Sequence, residues 1–277
     1  MTRGLPAAMM CAAAWCCALM PDALAEEFRA PAITAIFPSG KEVPANHLKF
    51  YIHFSEPMRQ GVFLQHCALL DERRQPVFEP FRETELWSED RKRLTLWLHP
   101  GRQKTGVNLN EEFGPILRTN ASYALVISGR WPSDTGVPLG KDVEKSFRAK
   151  ERASGQLHAA TWQVTPGPSG TTKPLEVYFP APMDHALLQR CLRVVDMEGR
   201  AMEGTGATAD HEQRWTFTPS RPWSDKLHHV LADPVLEDLA GNSLARPFEV
   251  DLDAPAPKRI RSAVEIPFRP RTVPGSK

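Results

Sequence analysis

Apolar and polar residues alternate in several short segments of this chain. Between Leu48 and Phe54 every second residue is a large apolar one, and the same period of two recurs between Leu175 and Phe179. This period is typical of a β-strand that buries one of its faces. Further apolar segments of strand length lie at 94–98, 123–127, 215–217 and 248–252. The pattern therefore predicts a protein built from short strands.

Helical periodicity is not sustained anywhere for more than a turn or two. The best candidate is the segment 184–190, where Asp184 can accept a hydrogen bond from the first helical turn. About seven short strands, separated by turns rich in Pro, Gly and Asp, favour two β-sheets packed face to face. We therefore predict an all-β fold of the sandwich type.

One segment of the chain occurs twice. Residues 52–58 read Ile-His-Phe-Ser-Glu-Pro-Met, and residues 177–183 read Val-Tyr-Phe-Pro-Ala-Pro-Met. The two copies are about 125 residues apart, which is too long for a solenoid or propeller repeat and suits two whole domains. The sequence thus predicts two β-sandwich domains in tandem.

The first 25 residues form a segment of their own. Arg3 precedes an apolar stretch from Ala7 to Met20, and Ala23-Leu24-Ala25 provides the small residues that a signal peptidase recognises. The stretch of about 14 residues is too short to span a bilayer, which needs roughly 20. We predict a signal peptide, cleavage before Glu26, no transmembrane span, and a periplasmic or secreted protein. The predicted segments are the signal peptide at 1–25, domains at 26–152 and 153–253, and a tail at 254–277.

The charges are almost balanced, with a formal net charge of +1. Nucleic-acid binding requires clustered basic residues, so we predict no nucleic-acid partner. The exception is the tail at 254–277, which contains six basic residues, one acidic residue and five prolines. Proline at this density predicts an extended, disordered tail, and its charge would allow contact with an anionic surface.

Cys67 and Cys191 are the two cysteines outside the signal peptide. They lie at nearly equivalent positions of the two copies, each just before a predicted strand. Equivalent positions of separate domains rarely come within the distance that a disulfide requires. We expect two buried thiols, and a disulfide, which the oxidising compartment would permit, is the alternative.

The order of the motifs resembles a known family. In the second copy, Phe179-Pro-Ala-Pro-Met183 is followed by Phe217-Thr-Pro219 and then by Leu236-Glu-Asp-Leu-Ala-Gly-Asn242; the first copy has a related turn at Asp134-Thr-Gly136. This order resembles the bacterial Ig-like domain of the SbsA type, first known from S-layer proteins. Over residues 31–252 the resemblance implies two tandem Ig-like β-sandwich domains that act as spacers, stalks or binding accessories.

The turn at 236–242 has two interpretations. Asp238 and Asn242 can bond nearby backbone amides, and Gly241 can adopt a positive φ, so the turn needs no ligand. The alternative is a calcium ion, which requires five or more oxygen ligands, whereas Glu237, Asp238 and Asn242 supply three at most. We predict a turn without a metal or other cofactor.

The catalytic motifs that a sequence can reveal were not found. The chain has no Gly-x-Ser-x-Gly, no His-Glu-x-x-His, no phosphate-binding glycine loop and no Cys-x-x-Cys. We therefore predict an exported, non-enzymatic structural or ligand-binding module of the cell envelope. The alternative is an envelope hydrolase that acts on glycan, with a site assembled from scattered residues at the domain junction.

One loop distinguishes the two copies. Residues 101–122 form a long connection in the first copy, whereas the second copy uses little more than residues 220–226. Long loops on a rigid sandwich often bind ligands, so this loop is a candidate contact for an envelope protein or a glycan, although we slightly favour the alternative that it packs on its own domain. The predicted binding surface consists of Trp97, Arg102, Asn108, Glu111 and Phe113.

Two alternatives qualify this surface. The loop could instead pack on its own domain through Phe113, Ile116 and Leu117. Trp97 alternates with Leu96 and Leu98 and should therefore face away from the core. An outward tryptophan can serve as a sugar platform, a partner contact or the seam between two domains, and the seam is the simplest of the three.

Overall fold

A computed structural model describes residues 30–106, 108–249 and 259–272. The predicted signal peptide at 1–25 lies outside the described residues. The described residues from Pro31 onward belong to one compact unit. Within the described part of the chain, none of the helices has the length and apolar character needed to cross a membrane.

The first copy forms a β-sandwich. Its strands are β1 (Ile33–Phe37), β2 (Glu42–Pro44), β3 (Lys49–Phe54), β4 (Cys67–Leu70), β5 (Leu86–Trp87), β6 (Arg93–Trp97), β7 (Ser122–Ile127) and β8 (Val143–Lys150). One sheet has the order β1-β3-β6-β5 and the other β2-β8-β7-β4, in which only β2 and β8 are parallel. The alternating apolar residues point between the sheets, and Phe50, Ile52 and Trp131 are fully buried there.

The second copy forms a second sandwich. Its strands are β9 (Gln163–Thr165), β10 (Leu175–Tyr178), β11 (Leu192–Asp196), β12 (Gly204–Ala209), β13 (Arg214–Pro219), β14 (His228–Ala232) and β15 (Val264–Phe268). The sheets have the orders β12-β13-β10-β9 and β11-β14-β15. Leu175, Val177 and Trp215 are buried in its core. The fold is all-β, with two β-sandwiches in tandem, as the alternation and the repeat predict.

Short helices connect some of the strands. They are α1 (Phe63–His66), α2 (Pro100–Gln103), α3 (Asn108–Phe113) and α4 (His185–Cys191). The predicted helix after Met183 is confirmed, because the Asp184 side chain caps α4 by accepting the Leu187 N–H at 2.9 Å. Leu192 is extended (φ −115°), so the chain passes directly from α4 into β11.

The last strand lies elsewhere than predicted. Phe248 and Glu249 form a bend, and residues 250–252 of the predicted strand are outside the described residues. Instead, part of the tail predicted to be disordered forms β15, which pairs with β14 and buries Phe268 in the second core. Pro267 is tolerated because β15 is an edge strand, where a missing N–H needs no partner. The second sandwich therefore extends beyond residue 253.

Both remaining cysteines are free. Cys67 and Cys191 are buried in the first and second core respectively, and neither forms a disulfide. Burial disfavours the thiolate and raises the pKa of each thiol. They act as small apolar side chains, which confirms the expectation of two buried thiols.

Candidate functional site at the junction of the two sandwiches

The five residues of the predicted binding surface lie in different surroundings. Asn108 and Glu111 are exposed on α3, and Phe113 at its end is 44% exposed. Arg102, however, is only 6% exposed, and its guanidinium donates to backbone carbonyls of Phe78, Glu79, Phe113 and Gly114. Burial lowers the pKa of Arg102. Arg102 holds the long loop together, so its assignment to an exposed binding surface is corrected.

The long loop packs largely on its own sandwich. Ile116 and Leu117 are buried in the first core, as the alternative interpretation expects. Phe113 does not join them, because its ring lies outside against that of Phe78, with 5.5 Å between the centroids. Phe78 is itself 58% exposed, so this loop leaves a pair of phenyl rings on the surface.

Trp97 lies beside the contact between the two sandwiches. It faces away from the first core and pairs across the sheet with Lys49, whose Nζ stands 4.9 Å from the centre of the indole. Lys49 in turn reaches the second sandwich. Of the three roles considered for Trp97, the seam is the one that its neighbours support.

Four polar side chains connect the sandwiches, and we call them the junction cluster. Lys49 and Tyr51 extend from the outer face of β3, and Asp184 and Glu237 come from the second sandwich. Lys49 Nζ lies 2.9 Å from Asp184 Oδ2 and 3.2 Å from Glu237 Oε2. The Tyr51 hydroxyl lies 2.9 and 2.8 Å from the two Asp184 oxygens. Asp184 therefore caps α4 and binds β3 with the same carboxylate.

Three of the four side chains of the junction cluster are buried and Glu237 is partly exposed, and the electrostatics of the cluster follow from that. Desolvation alone would lower the pKa of Lys49, but Asp184 and Glu237 outweigh it, so the pKa is raised. Burial, followed by the nearby Asp184 charge, raises the pKa of Tyr51. Burial also raises the pKa of Glu237, against the effect of Lys49. At neutral pH Lys49 is thus a cation and Tyr51 a protonated donor.

A second group of contacts joins the turn after β1 to the second sandwich. The Ser39 N–H donates to Glu212 Oε2 at 2.8 Å, and Ser39 Oγ lies 3.2 Å from His211 Nδ1. The Phe37 ring stacks on His185, with 3.4 Å between centroids. Burial lowers the pKa of His185 to about 4, so this imidazole is neutral at pH 7. The Nδ1 atom of His185 lies 3.8 Å from Glu212 Oε1. Because the imidazole is neutral, the two side chains do not form an ion pair.

The segment that supplies these contacts has an unusual backbone. Asp210, His211 and Glu212 all have positive φ, at 51°, 55° and 64°. Three consecutive left-handed residues other than glycine are unfavourable unless the surroundings impose them. Here Glu212 is buried and bonded to Ser39 of the first sandwich. The junction contacts therefore help to hold this turn.

The Asp238 turn is also part of the junction. Asp238 Oδ1 accepts the N–H groups of Ala240 and Asn242 at 2.9 Å each, and Oδ2 accepts from Asn242 Nδ2 at 2.9 Å. Gly241 has φ +80°, as the turn chemistry predicts. The carbonyl of Leu239 accepts the Leu48 N–H from the first sandwich at 3.1 Å. In the described residues, no group of three or more His, Cys, Asp or Glu side chains could hold a metal ion.

His47 connects this turn to the long loop. It is fully buried, its Nδ1 lies 3.2 Å from the Leu239 carbonyl, and its own carbonyl accepts from Gln103 Nε2 of α2. Burial lowers the pKa of His47 to about 3. The imidazole is neutral and serves as a structural hydrogen-bonding group between the two halves.

A cavity of about 420 Å³ opens beside the junction. Its walls include Lys41, Glu42, Pro180, Pro182 and His211. A retaining or inverting glycosidase needs two carboxyl groups that face the substrate across a cleft. At the junction, the carboxylates of Asp184, Glu237 and Asp238 bind lysine, tyrosine and amide donors within the protein. This arrangement fixes one sandwich against the other.

Comparisons with known proteins give distant structural likenesses. Neither a protein-family model nor a curated protein matches this sequence. Domains 1–6 of the surface-layer protein SbsC align at 14% identity and a TM-score of 0.33, over 76% of this chain and 24% of that one. The MG0-NIE-MG1 part of Escherichia coli alpha-2-macroglobulin aligns at 12% identity and a TM-score of 0.30, over 89% and 74%. This chain spans about a quarter of the SbsC structure, and TM-scores this low do not establish a family.

Proposed function

We propose that this protein is an exported structural module of the bacterial cell envelope, in which two Ig-like sandwiches of the SbsA type act as one rigid spacer. The observation that carries the proposal is the buried junction cluster. Hydrogen bonds and ion pairs are directional, so a buried network of them defines one relative orientation. A rigid spacer needs that property, whereas a clamp that closes on a ligand needs a mobile hinge.

Export rests on the sequence. The apolar stretch from Ala7 to Met20 and the small residues Ala23-Leu24-Ala25 support a cleaved signal peptide and a periplasmic or secreted location. A non-enzymatic role is supported by the missing catalytic motifs and by the carboxylates that are used inside the junction. A partner in the envelope, either a protein or a glycan, completes the proposal.

The experiment measures whether the two sandwiches tumble as one body. Residual dipolar couplings of the wild type should fit a single alignment tensor. Lys49→Met leaves the buried Asp184 and the partly exposed Glu237 without their cation, and breaking a buried ion pair costs about 3–5 kcal/mol. This variant should give two tensors and a less stable protein.

The matched control is Lys150→Met. Lys150 pairs with Glu42 at 3.1 Å, but both side chains are more than half exposed. The free energy of unfolding should therefore fall by less than about 1 kcal/mol. Two independent tensors in the wild type would contradict the rigid spacer. N-terminal sequencing of the exported protein should start at Glu26, and protein retained in the cytoplasm would contradict export.

A further inference from the structure

The second sandwich has a cavity of about 450 Å³ between its two sheets. It lies between β12 and β13 of one sheet and the start of β11 in the other. Its apolar walls are formed by Leu192, Val194, Trp215 and Phe217, all of which belong to the second core. The exposed residue Arg193 also lines it, so the cavity connects the surface of the protein with the core.

Two glycines of β12 leave this space open. Gly204 and Gly206 line the cavity but have no side chains to fill it. A Cβ on Gly204 would lie 2.4 Å from Phe217 Cζ, and one on Gly206 would lie 3.1 Å from Trp215 Nε1. The aromatic side chains therefore lie directly against the backbone of β12, and a larger residue at position 204 would have to displace Phe217.

The first sandwich has a large side chain at the corresponding place. Leu94 of β6 corresponds to Trp215 of β13, because each pairs with the first residue of the repeated segment. On the other side, Leu94 pairs with Trp87 of β5, whereas Trp215 pairs with Thr208 of β12. Trp87 packs against the first core, and its ring lies 5.9 Å from that of Phe54. The second sandwich thus has a threonine where the first has an indole, which leaves room for a ligand.

The charge of the walls distinguishes this cavity from the one at the junction. The junction cavity is lined by groups of both signs, including Lys41, Lys150, Glu42 and Glu151. The cavity in the second sandwich has one charged lining residue, Arg193. In the described part of the chain, this arginine has no ion-pair partner. Apolar walls with one available cation fit a ligand that has an apolar chain and a single negative charge.

The acidic residues that are close in sequence do not cancel this charge. Glu203 immediately precedes Gly204, and because side chains alternate along a strand, it projects from the face opposite to the cavity. Asp196 and Glu198 follow β11, but both pair with Arg200 at the surface. Arg193 is therefore available to a ligand.

We propose that this cavity binds a small amphiphilic anion, namely a single apolar chain that carries a carboxylate. The chain would pack against Trp215 and Phe217 beside the glycines of β12, and the carboxylate would pair with Arg193. A rigid spacer does not need such a cavity. The inference therefore goes beyond the proposed function and does not depend on it.

The test titrates the full-length protein with sodium decanoate below its micelle concentration. NMR follows the indole resonance of Trp215 and the methyl resonance of Met202, which also lines the cavity. Both should shift and saturate, whereas the indole of Trp87 in the first sandwich should not change. Octanoate should bind about ten-fold more weakly, because it buries two methylene groups fewer.

Variants separate the charge from the shape of the site. Decylammonium has a similar chain and the opposite charge, and it should bind at least about three-fold more weakly than decanoate. Arg193→Gln should remove this preference, whereas Arg73→Gln, at an exposed arginine of the first sandwich, should retain it. Thr208→Phe places a ring where Trp87 stands in the first copy, and it should abolish binding in a folded protein.

Three outcomes would overturn the proposal. If millimolar decanoate gave no saturable shift of Trp215, the cavity would not be a ligand site. Shifts that persisted in a folded Thr208→Phe variant would show that decanoate binds elsewhere, and equal affinity for both charges would refute the role of Arg193. Each of these results leaves the alignment tensors of the two sandwiches unchanged, so a failure here is distinguishable from a failure of the rigid spacer.

Discussion

The two copies contain the same turn in two environments. Residues Pro132–Pro138 of the first copy and Glu237–Ser243 of the second are each closed by a bridge between their first and last residues. Ser133 and Asp238 stand at the same place in the two turns. Each accepts a hydrogen bond from the backbone N–H four residues on, at 3.2 and 2.9 Å respectively. The local structure is therefore common to both.

The two turns differ in whether another part of the protein packs against them. In the first copy, Asp134 is exposed and pairs with Arg91 at the surface, 2.7 Å away. In the second copy, the next residue after Asp238, Leu239, packs into the core of the first sandwich. The two copies therefore contain the same turn, but only the turn of the second copy contacts the other sandwich. Paired variants at equivalent positions can separate the local contribution from that of the interface.

The largest effect should come from dividing the chain. A fragment of residues 155–272 should fold, whereas 155–253 should not, because it lacks Val264, Ile266 and Phe268 of β15. Burial of three such side chains contributes about 5 kcal/mol, which is comparable to the whole stability of a small domain. Amide spectra of the two fragments test this. A dispersed spectrum from 155–253 would show that β15 is dispensable, and an unfolded 155–272 would show that the second sandwich depends on the first.

The next largest effect distinguishes the two turns directly. Asp238→Ala leaves three buried donors without their acceptor, so we expect a loss of about 3 kcal/mol. Ser133→Ala removes a neutral side-chain acceptor and should cost about 1 kcal/mol. Urea unfolding of the two variants measures the difference, and equal losses would mean that the additional hydrogen bonds of Asp238 add nothing.

The same pair of variants tests the calcium alternative. If the Asp238 carboxylate serves only amide donors, saturating calcium should leave the melting temperature of the wild type unchanged. A bound ion would raise it with the logarithm of the calcium concentration. A rise that Asp238→Ala abolishes and Ser133→Ala retains would contradict the turn without a metal.

Acid should weaken the junction. Burial holds the pKa of His47 at about 3 and that of His185 at about 4, below the value of about 6.5 in an unfolded chain. As the pH falls through 6.5, the unfolded state binds more protons than the folded state, and stability is lost. The raised pKa values of Glu237 and Asp238 oppose this, since those carboxyl groups bind protons more readily when folded.

We expect the histidines to dominate, with a net loss of about 2 kcal/mol between pH 7 and pH 5. Urea unfolding at the two pH values measures it. Burial also lowers the pKa values of His53, His66 and His228, so His185→Gln should remove only part of the dependence. If stability rose on acidification, the carboxyl groups would be the stronger contributors.

The smallest effect concerns the glycines of the two turns. Gly136 and Gly241 both have positive φ, at 90° and 80°, so alanine is strained at either position. A Cβ on Gly136 would meet nothing within 4 Å, whereas one on Gly241 would lie 2.5 Å from Leu48 Cδ1. We expect losses of about 1 kcal/mol for Gly136→Ala and about 2 kcal/mol for Gly241→Ala. Thermal unfolding compares them, and identical shifts would mean that Leu48 moves aside freely.

Much of the fold could be predicted because it depends on local patterns. Alternation identified β3 and β10, and the cap at Asp184 identified α4. The prediction failed at β15, because the density of prolines around Val264, Ile266 and Phe268 predicts a disordered tail. A proline excludes a central strand but not an edge strand, and position in a sheet is a tertiary property.

The junction could not be predicted for a related reason. Alternation shows which face of β3 meets its own core, but not whether the other face meets water or a neighbouring domain. Lys49 and Tyr51 stand on that second face, and their partner Asp184 is far away in the chain. The prediction for Arg102 failed in the opposite direction, because a residue expected at the surface is buried. Arginine in a long loop usually faces solvent, and only the structure reveals the carbonyls that surround this one.

The polar character of the junction cluster has a consequence for how the protein reaches its native state. If one sandwich folds before the other, its junction face is in contact with water for a time. Lys49 and Tyr51 are readily hydrated, so a half-finished protein presents a surface that water tolerates. A junction face made of leucines would expose apolar surface at that stage, and exposed apolar surface favours aggregation. The polar face of one sandwich can therefore be exposed to water without favouring aggregation until the other sandwich docks on it in a single orientation.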